Sequence, residues 1–174
     1  MSAEAARIVG SGFLQTVTRG DLFVRYEATL SCGWMVVDDA VLLTSWYENY
    51  HGRRARFSEI TDYEIAVNGR GTPDDDFLEE GEACVSRLLR RGVAFAWAAL
   101  YGQHRQVPQV RMAAYVSAAP TLLEPDHFTG NVTFCVMRSG CPLYIDPARL
   151  TDEIVIALFT EDCGQPLTAD NKIA

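Results

Sequence analysis

Met137-Arg138-Ser139-Gly140-Cys141-Pro142-Leu143 is the stretch of this chain on which the fold prediction depends most. It lies between an apolar run at residues 131–135 and another that begins at Ile154, both of which look like β-strands. Glycine and proline between two apolar runs favour a loop over a continued strand. We therefore interpret residues 137–143 as a loop that presents Ser139 between two strands.

This loop resembles Gly-Asp-Ser-Gly-Gly-Pro-Leu, the nucleophile loop of trypsin-like serine proteases. Ser139 stands in the place of the nucleophile, whereas Met137 and Arg138 replace the glycine and aspartate. Further segments resemble the same family in the same order along the chain: the activation junction at 7–12, the strands before the catalytic histidine at 31–45, the aspartate segment at 63–67, and strands of the second barrel at 81–86, 108–120, 131–135 and 154–164.

The resemblance implies an all-β fold, a shortened trypsin-like double β-barrel that lacks the usual disulfides. It places an N-terminal barrel at residues 1–70, a linker at 71–80 and a C-terminal barrel at 81–174. The polar stretch Gly69-Arg70-Gly71-Thr72-Pro73-Asp74 is consistent with a boundary near that linker.

Short β-branched and aromatic runs predict strands in the first part of the chain, with a hairpin turn at Asp38-Asp39. After Val107, alternating apolar residues predict a strand that ends at Pro120. The predicted N-terminal strands cover residues 13–17, 22–26, 33–37 and 41–43.

Residues 73–104 give conflicting signals. Pro73-Asp74 is typical of a helix start, and one helical stripe could be formed by Phe77, Cys84, Leu88 and Leu89. The residues by themselves therefore favour a helix. The family resemblance instead implies strands at 82–89 and 94–100, and our prediction follows the resemblance.

The resemblance also places the catalytic positions, and several are altered. Tyr47 stands where the general base should be, and a tyrosine phenol cannot do the work of the histidine unaided. Glu64 stands in the place of the orienting carboxylate and could hydrogen-bond Tyr47. Arg138 is a cation where the family has an anion that binds the N-terminal ammonium, and Thr160 replaces a glycine of the substrate cleft. We predict a catalytically inactive pseudoprotease.

Two alternatives stay open. The first is a working serine hydrolase with an altered triad of Ser139, His51 and Glu64. The second is a secreted, inactive serine protease homologue. Neither alternative nor the main prediction requires a cofactor. The histidines do not lie at zinc spacing from cysteines or carboxylates, so no metal is expected at His51, His104 or His127.

Composition limits the choice of partner and compartment. The 174 residues include 15 basic and 23 acidic side chains, and this net charge of -8 disfavours direct nucleic-acid binding. No apolar run is long enough for a membrane span, and no signal peptide is evident. Five cysteines are present, but the family's partner positions for Cys32 and Cys135 hold other residues, and the partner position for Cys163 falls in an apparent deletion. The sequence therefore predicts an intracellular protein, in cytoplasm or nucleus.

These inferences combine into one functional prediction. The chain is expected to be an acidic, non-catalytic adaptor that binds another protein, with an extended peptide in the former substrate cleft as one possibility. A partner that contacts an outer face stays open as well. The cleft residues expected to contact the partner are Tyr47, Glu64, Met137, Ser139, Phe159 and Thr160.

Overall fold

A computed structural model describes residues 1–169 of the chain. Within these residues there are six α-helices, six β-strands and three short 3-10 turns. The helices are α1 (Ala3–Val9), α2 (Phe13–Thr16), α3 (Tyr26–Cys32), α4 (Thr44–Glu48), α5 (Ile60–Val67) and α6 (Gly81–Gln106), and the strands are β1 (Trp34–Val37), β2 (Ala40–Leu43), β3 (Gly69–Thr72), β4 (Met112–Pro120), β5 (Phe128–Val136) and β6 (Ile154–Phe159).

The main sheet is antiparallel, with strand order β3-β5-β4-β6. Three of its strands, β4, β5 and β6, lie where the sequence predicts strands, because their apolar residues alternate or run continuously. Neighbouring side chains point to opposite faces, so Ala114 packs in the main core whereas Tyr115 packs on the second face. Strand β3 extends into the first two residues of the predicted 71–80 linker, and its partner β5 follows that linker.

The strands predicted at 82–89 and 94–100 are wrong, because this region is the 26-residue helix α6. One long stripe of α6 is buried against the main sheet, including Leu88, Val93 and Leu100. Gly92 lets α6 approach strand β4 of the main sheet closely, since a Cβ at this position would lie 2.5 Å from a methyl group of Val116. The helical spacing of Cys84, Leu88 and Leu89 was therefore the correct signal, whereas the helix start expected at Pro73-Asp74 is wrong, because α6 begins at Gly81.

The strands predicted at 13–17 and 22–26 are wrong too. Residues 13–16 form α2, and Tyr26 begins α3. Short apolar runs of this length fit a buried helix as well as a strand, and packing decides between them. Here Phe13 is buried below Arg90 of α6, and Tyr26 stacks on Phe95 with ring centroids 3.9 Å apart.

The hairpin β1–β2 is confirmed, with its turn at Asp38-Asp39. Both aspartates have positive φ angles, 47° and 66°, as a two-residue type I′ turn requires. The hairpin forms a separate two-stranded sheet with four paired residues on each strand. Trp34 joins it to α6, because the indole N–H donates to the Ala99 carbonyl at 2.9 Å.

The predicted all-β double barrel is therefore wrong. The described residues form a mixed α/β structure with a two-stranded and a four-stranded sheet, and neither sheet closes into a barrel. The larger sheet stays open because other segments pack on both of its faces. Helix α6 packs on one face and the segment after β5 packs on the other, so the sheet buries both faces without closing on itself.

Candidate functional site

The 137–143 loop leaves β5 and covers the second face of the main sheet. A cavity of about 170 Å³ lies between this loop and the sheet. Its polar lining includes Arg111, Arg138 and Ser139, and its apolar lining includes Met137 and Leu143. Two of the residues that the sequence placed in the substrate cleft, Met137 and Ser139, therefore line this cavity.

Glu64 and Arg138 form an ion pair beside this cavity, and the Arg138 side chain is 23% exposed. The Glu64 side chain has no solvent exposure, and both of its oxygens accept from the Arg138 guanidinium at 2.8 Å. The pairing with Glu64 raises the pKa of Arg138 above its ordinary value. Tyr47 is not among the hydrogen-bond partners found for Glu64 in residues 1–169, so the predicted Glu64–Tyr47 bond is wrong.

The same carboxylate also connects three pieces of the fold. Its oxygens accept from the backbone N–H groups of Val41 in β2 and Val136 in β5, both at 3.0 Å. One helical turn later, Asn68 accepts from the Leu43 N–H and donates to the Val41 carbonyl. Because Glu64 lies on α5, this network ties the small hairpin, α5 and the main sheet together.

Ser139, Cys135 and Tyr115 also line this cavity. Ser139 is exposed, and within residues 1–169 no hydrogen bond joins it to His51, which is exposed on the loop after α4. Burial raises the pKa of the neighbouring Cys135 thiol to about 12, and burial also raises the pKa of Tyr115. Both groups therefore stay protonated at neutral pH.

The remaining cleft residues of the prediction are divided among different surroundings. Phe159 packs with Met137 on the second face of the sheet. Tyr47 packs in a separate cluster with Leu42 and Tyr63. Thr160 is buried, and its hydroxyl accepts from the Met112 N–H at 2.9 Å. The structure thus brings Glu64, Met137, Ser139 and Phe159 to one region and leaves Tyr47 and Thr160 outside it.

A second candidate site was missed by the sequence analysis. Leu78, Leu122 and Leu123, here called the leucine edge, are 93–102% exposed although leucine is normally buried. Leu78 lies in the loop before α6, and the other two lie in the turn between β4 and β5. A sequence signal existed, because Leu122-Leu123 interrupts a turn between Pro120 and Pro125.

The two loops of the leucine edge adjoin each other. The Gly81 N–H donates to the Asp126 carbonyl at 3.3 Å, and the turn is held by Thr121, whose N–H donates to the His127 carbonyl at 2.8 Å. Between the loops is a shallow, open cleft of about 230 Å³. Its lining is polar and mostly acidic, with Glu80, Glu124, Asp126 and His127.

Comparison with models of protein families, with curated proteins and with solved structures finds no match for this chain. Among residues 1–169, no helix combines the length and apolar character that crossing a membrane requires. The same residues contain no group of three or more histidine, cysteine and acidic side chains placed to hold a metal ion.

Proposed function

We propose that this protein is a non-catalytic protein-interaction module that docks a partner protein through the leucine edge. The observation that carries the proposal is the exposure of Leu78, Leu122 and Leu123 in two adjoining loops. We treat these leucines as one surface because a backbone hydrogen bond joins their loops, and exposed apolar patches mark interaction sites on globular proteins. Burial of one leucine side chain contributes about 1.5–3 kcal/mol, so three leucines can supply much of the affinity of a specific complex.

The leucine edge replaces the former cleft as the proposed docking surface. The cavity at Ser139 has a volume of about 170 Å³, which is below the roughly 300–1,000 Å³ of typical ligand sites. Tyr47 and Thr160 lie outside the region of the cavity, which further weakens a cleft-based contact.

The surroundings of Glu64 support a non-catalytic role. A triad of Ser139, His51 and Glu64 needs a carboxylate oxygen free to orient the histidine. Both oxygens of Glu64 already accept from Arg138 and from backbone N–H groups. Treatment with a fluorophosphonate probe should leave Ser139 unlabelled, as measured by intact mass. Labelling that disappears in Ser139→Ala would revive the hydrolase alternative.

We propose an intracellular location as part of the same function. All five cysteines are unpaired, and three of them, Cys84, Cys135 and Cys163, are buried as small apolar groups. Non-reducing mass analysis of protein isolated from its own cells should find no disulfide. Two intramolecular bridges in that material would support the secreted alternative instead.

The docking proposal is tested with matched apolar substitutions. The tagged protein and the variant Leu122→Ser/Leu123→Ser are used to capture partners from the source cells, and a protein retained only by the wild type is then purified. Its affinity for each variant is measured by calorimetry. We expect the double variant, and Leu78→Ser separately, to bind at least about tenfold more weakly, because each buried leucine contributes more than 1.4 kcal/mol.

The control variant is Val24→Ser/Val36→Ser, which removes two exposed apolar side chains elsewhere on the surface. Circular dichroism should give the same melting temperature for all variants, since the substituted side chains are exposed. Equal affinity of wild type and both leucine variants, or equal weakening by the valine control, would contradict docking at the leucine edge.

A further inference from the structure

From the charges around the leucine edge we infer that its partner is a basic polypeptide surface with an apolar anchor. This inference rests on the proposed function and specifies the chemistry of the partner. It concerns the shallow cleft at the two loops that carry these leucines, where the lining carboxylates are Glu80, Glu124 and Asp126.

The acidic side chains of this region fall into two groups. In the first group, each carboxylate is paired with an arginine: Asp75 with Arg25, Asp76 with Arg91, Glu79 with Arg87, and Glu82 with Arg7. Arginines within the protein already offset these charges, with Arg7 shared between Glu82 and Glu4, so this group attracts a partner less than unpaired carboxylates do.

Glu80, Glu124 and Asp126 form the second group. Across residues 1–169, no arginine, lysine or histidine lies within ion-pair distance of these three carboxylates. His127 lines the same cleft without an ion pair to them. The leucine edge therefore carries uncompensated negative charge directly beside exposed apolar side chains, in a protein whose net charge is already -8.

This combination selects a class of partner. A neutral or acidic apolar surface would bury the leucines but leave the carboxylates desolvated and unpaired, which opposes binding. A surface with lysines or arginines around an apolar centre would satisfy both the leucines and the carboxylates. The field of the whole chain would also steer such a partner toward the protein and raise the association rate, more strongly at low salt.

The test uses two synthetic helical peptides of equal length. Each has leucines along one face, and the other face carries lysines in the first peptide and glutamates in the second. Binding to the full chain is measured by fluorescence anisotropy at about 50 mM and about 300 mM salt, which changes the screening of exposed charges. We expect the lysine peptide to bind at least about tenfold more tightly at low salt and to weaken as salt increases.

Two variants with equal charge change locate the binding. Glu80→Gln/Glu124→Gln/Asp126→Asn should weaken lysine-peptide binding about tenfold and reduce its salt dependence. The control Glu48→Gln/Glu59→Gln/Asp62→Asn removes three exposed carboxylates elsewhere and should leave the affinity within about twofold of wild type. Leu122→Ser/Leu123→Ser should weaken binding without changing the salt dependence.

The outcomes separate this inference from the proposed function. Equal binding of the lysine and glutamate peptides, or no binding of either, would overturn the basic-partner inference. Equal weakening by both charge variants would overturn it too, because the attraction would then come from net charge alone. A purified partner whose affinity depends on the leucines but not on Glu80, Glu124 and Asp126 would refute only the inference, whereas a partner insensitive to the leucines would refute the proposed function.

Discussion

Replacement of Glu64 by glutamine should strongly destabilise the fold. In the wild type, one carboxylate oxygen accepts from the Val41 N–H and Arg138, and the other accepts from the Val136 N–H and Arg138. Glutamine keeps the shape but turns one oxygen into an NH₂ group. Two of the four hydrogen bonds are then lost, and a buried backbone donor and the guanidinium each face another donor.

The magnitude follows from these losses. Each unsatisfied buried donor costs about 1–3 kcal/mol, and breaking one side of a buried ion pair costs about 3–5 kcal/mol in total. For a domain of this size, 1 kcal/mol changes the melting temperature by about 2–4 °C, so Glu64→Gln should lower it by about 10 °C. Urea unfolding followed by circular dichroism measures the free energy, and differential scanning calorimetry measures the melting temperature.

A double-mutant cycle provides the control. Arg138→Met alone leaves the carboxylate buried without its cation and should be destabilising as well, whereas Glu64→Gln/Arg138→Met should cost less than the sum of the single changes. A loss below about 1 kcal/mol for Glu64→Gln, or additive effects in the cycle, would refute the reasoning that this pair ties α5 to both sheets.

Three further predictions concern acid, packing and thiols. The Arg91 guanidinium lowers the pKa of Asp76 from 3.8 to about 2. The stabilising contribution of the ionised Asp76 is therefore complete above pH 3.8 and is lost as the pH falls toward 2. Asp76→Asn should flatten this part of the acid unfolding curve, and an unchanged curve would contradict the pairing. Gly92→Ala should lower the free energy of unfolding, measured in urea, by about 1 kcal/mol. The added methyl group overpacks the contact with Val116 at a cost of about 1–3 kcal/mol, which exceeds the gain of roughly 1 kcal/mol in helix propensity. A more stable variant would show that the sheet shifts to accommodate the methyl group. Iodoacetamide should alkylate two of the five thiols of the native protein, and peptide mapping should find the label on the exposed Cys32 and Cys141. Rapid labelling of Cys84, Cys135 or Cys163 would contradict the burial of these three thiols.

Local signals in the sequence predict several elements correctly. The turn at Asp38-Asp39 is predictable because a two-residue hairpin needs residues that tolerate positive φ. The strands β4, β5 and β6 are predictable from alternation and from continuous apolar runs. Helix α6 was predictable as well, since its apolar stripe has helical spacing, but the resemblance to serine proteases pointed to strands and proved a poor guide there.

The sites depend on contacts that local patterns do not contain. Glu64 and Arg138 are separated by 74 positions, and Glu64 looks like an ordinary acidic residue of a short helix until α5 and β5 bring the two together. The adjoining loops of the leucine edge are similarly distant in sequence. Their exposure follows from where the two loops lie in the fold, with Leu78 in the loop before α6 and Leu122-Leu123 in the turn between β4 and β5.

The sequence by itself thus determined the turn at Asp38-Asp39, the strands β4, β5 and β6 and the helical spacing within α6, because these properties depend on neighbouring residues. Only the tertiary structure decided that one sheet is covered on both faces instead of closing into a barrel. It also decided that Glu64 is a buried structural anion and that three leucines remain in water. These outcomes arise from packing between distant segments, where burial and charge compensation are set by neighbours in space rather than in sequence.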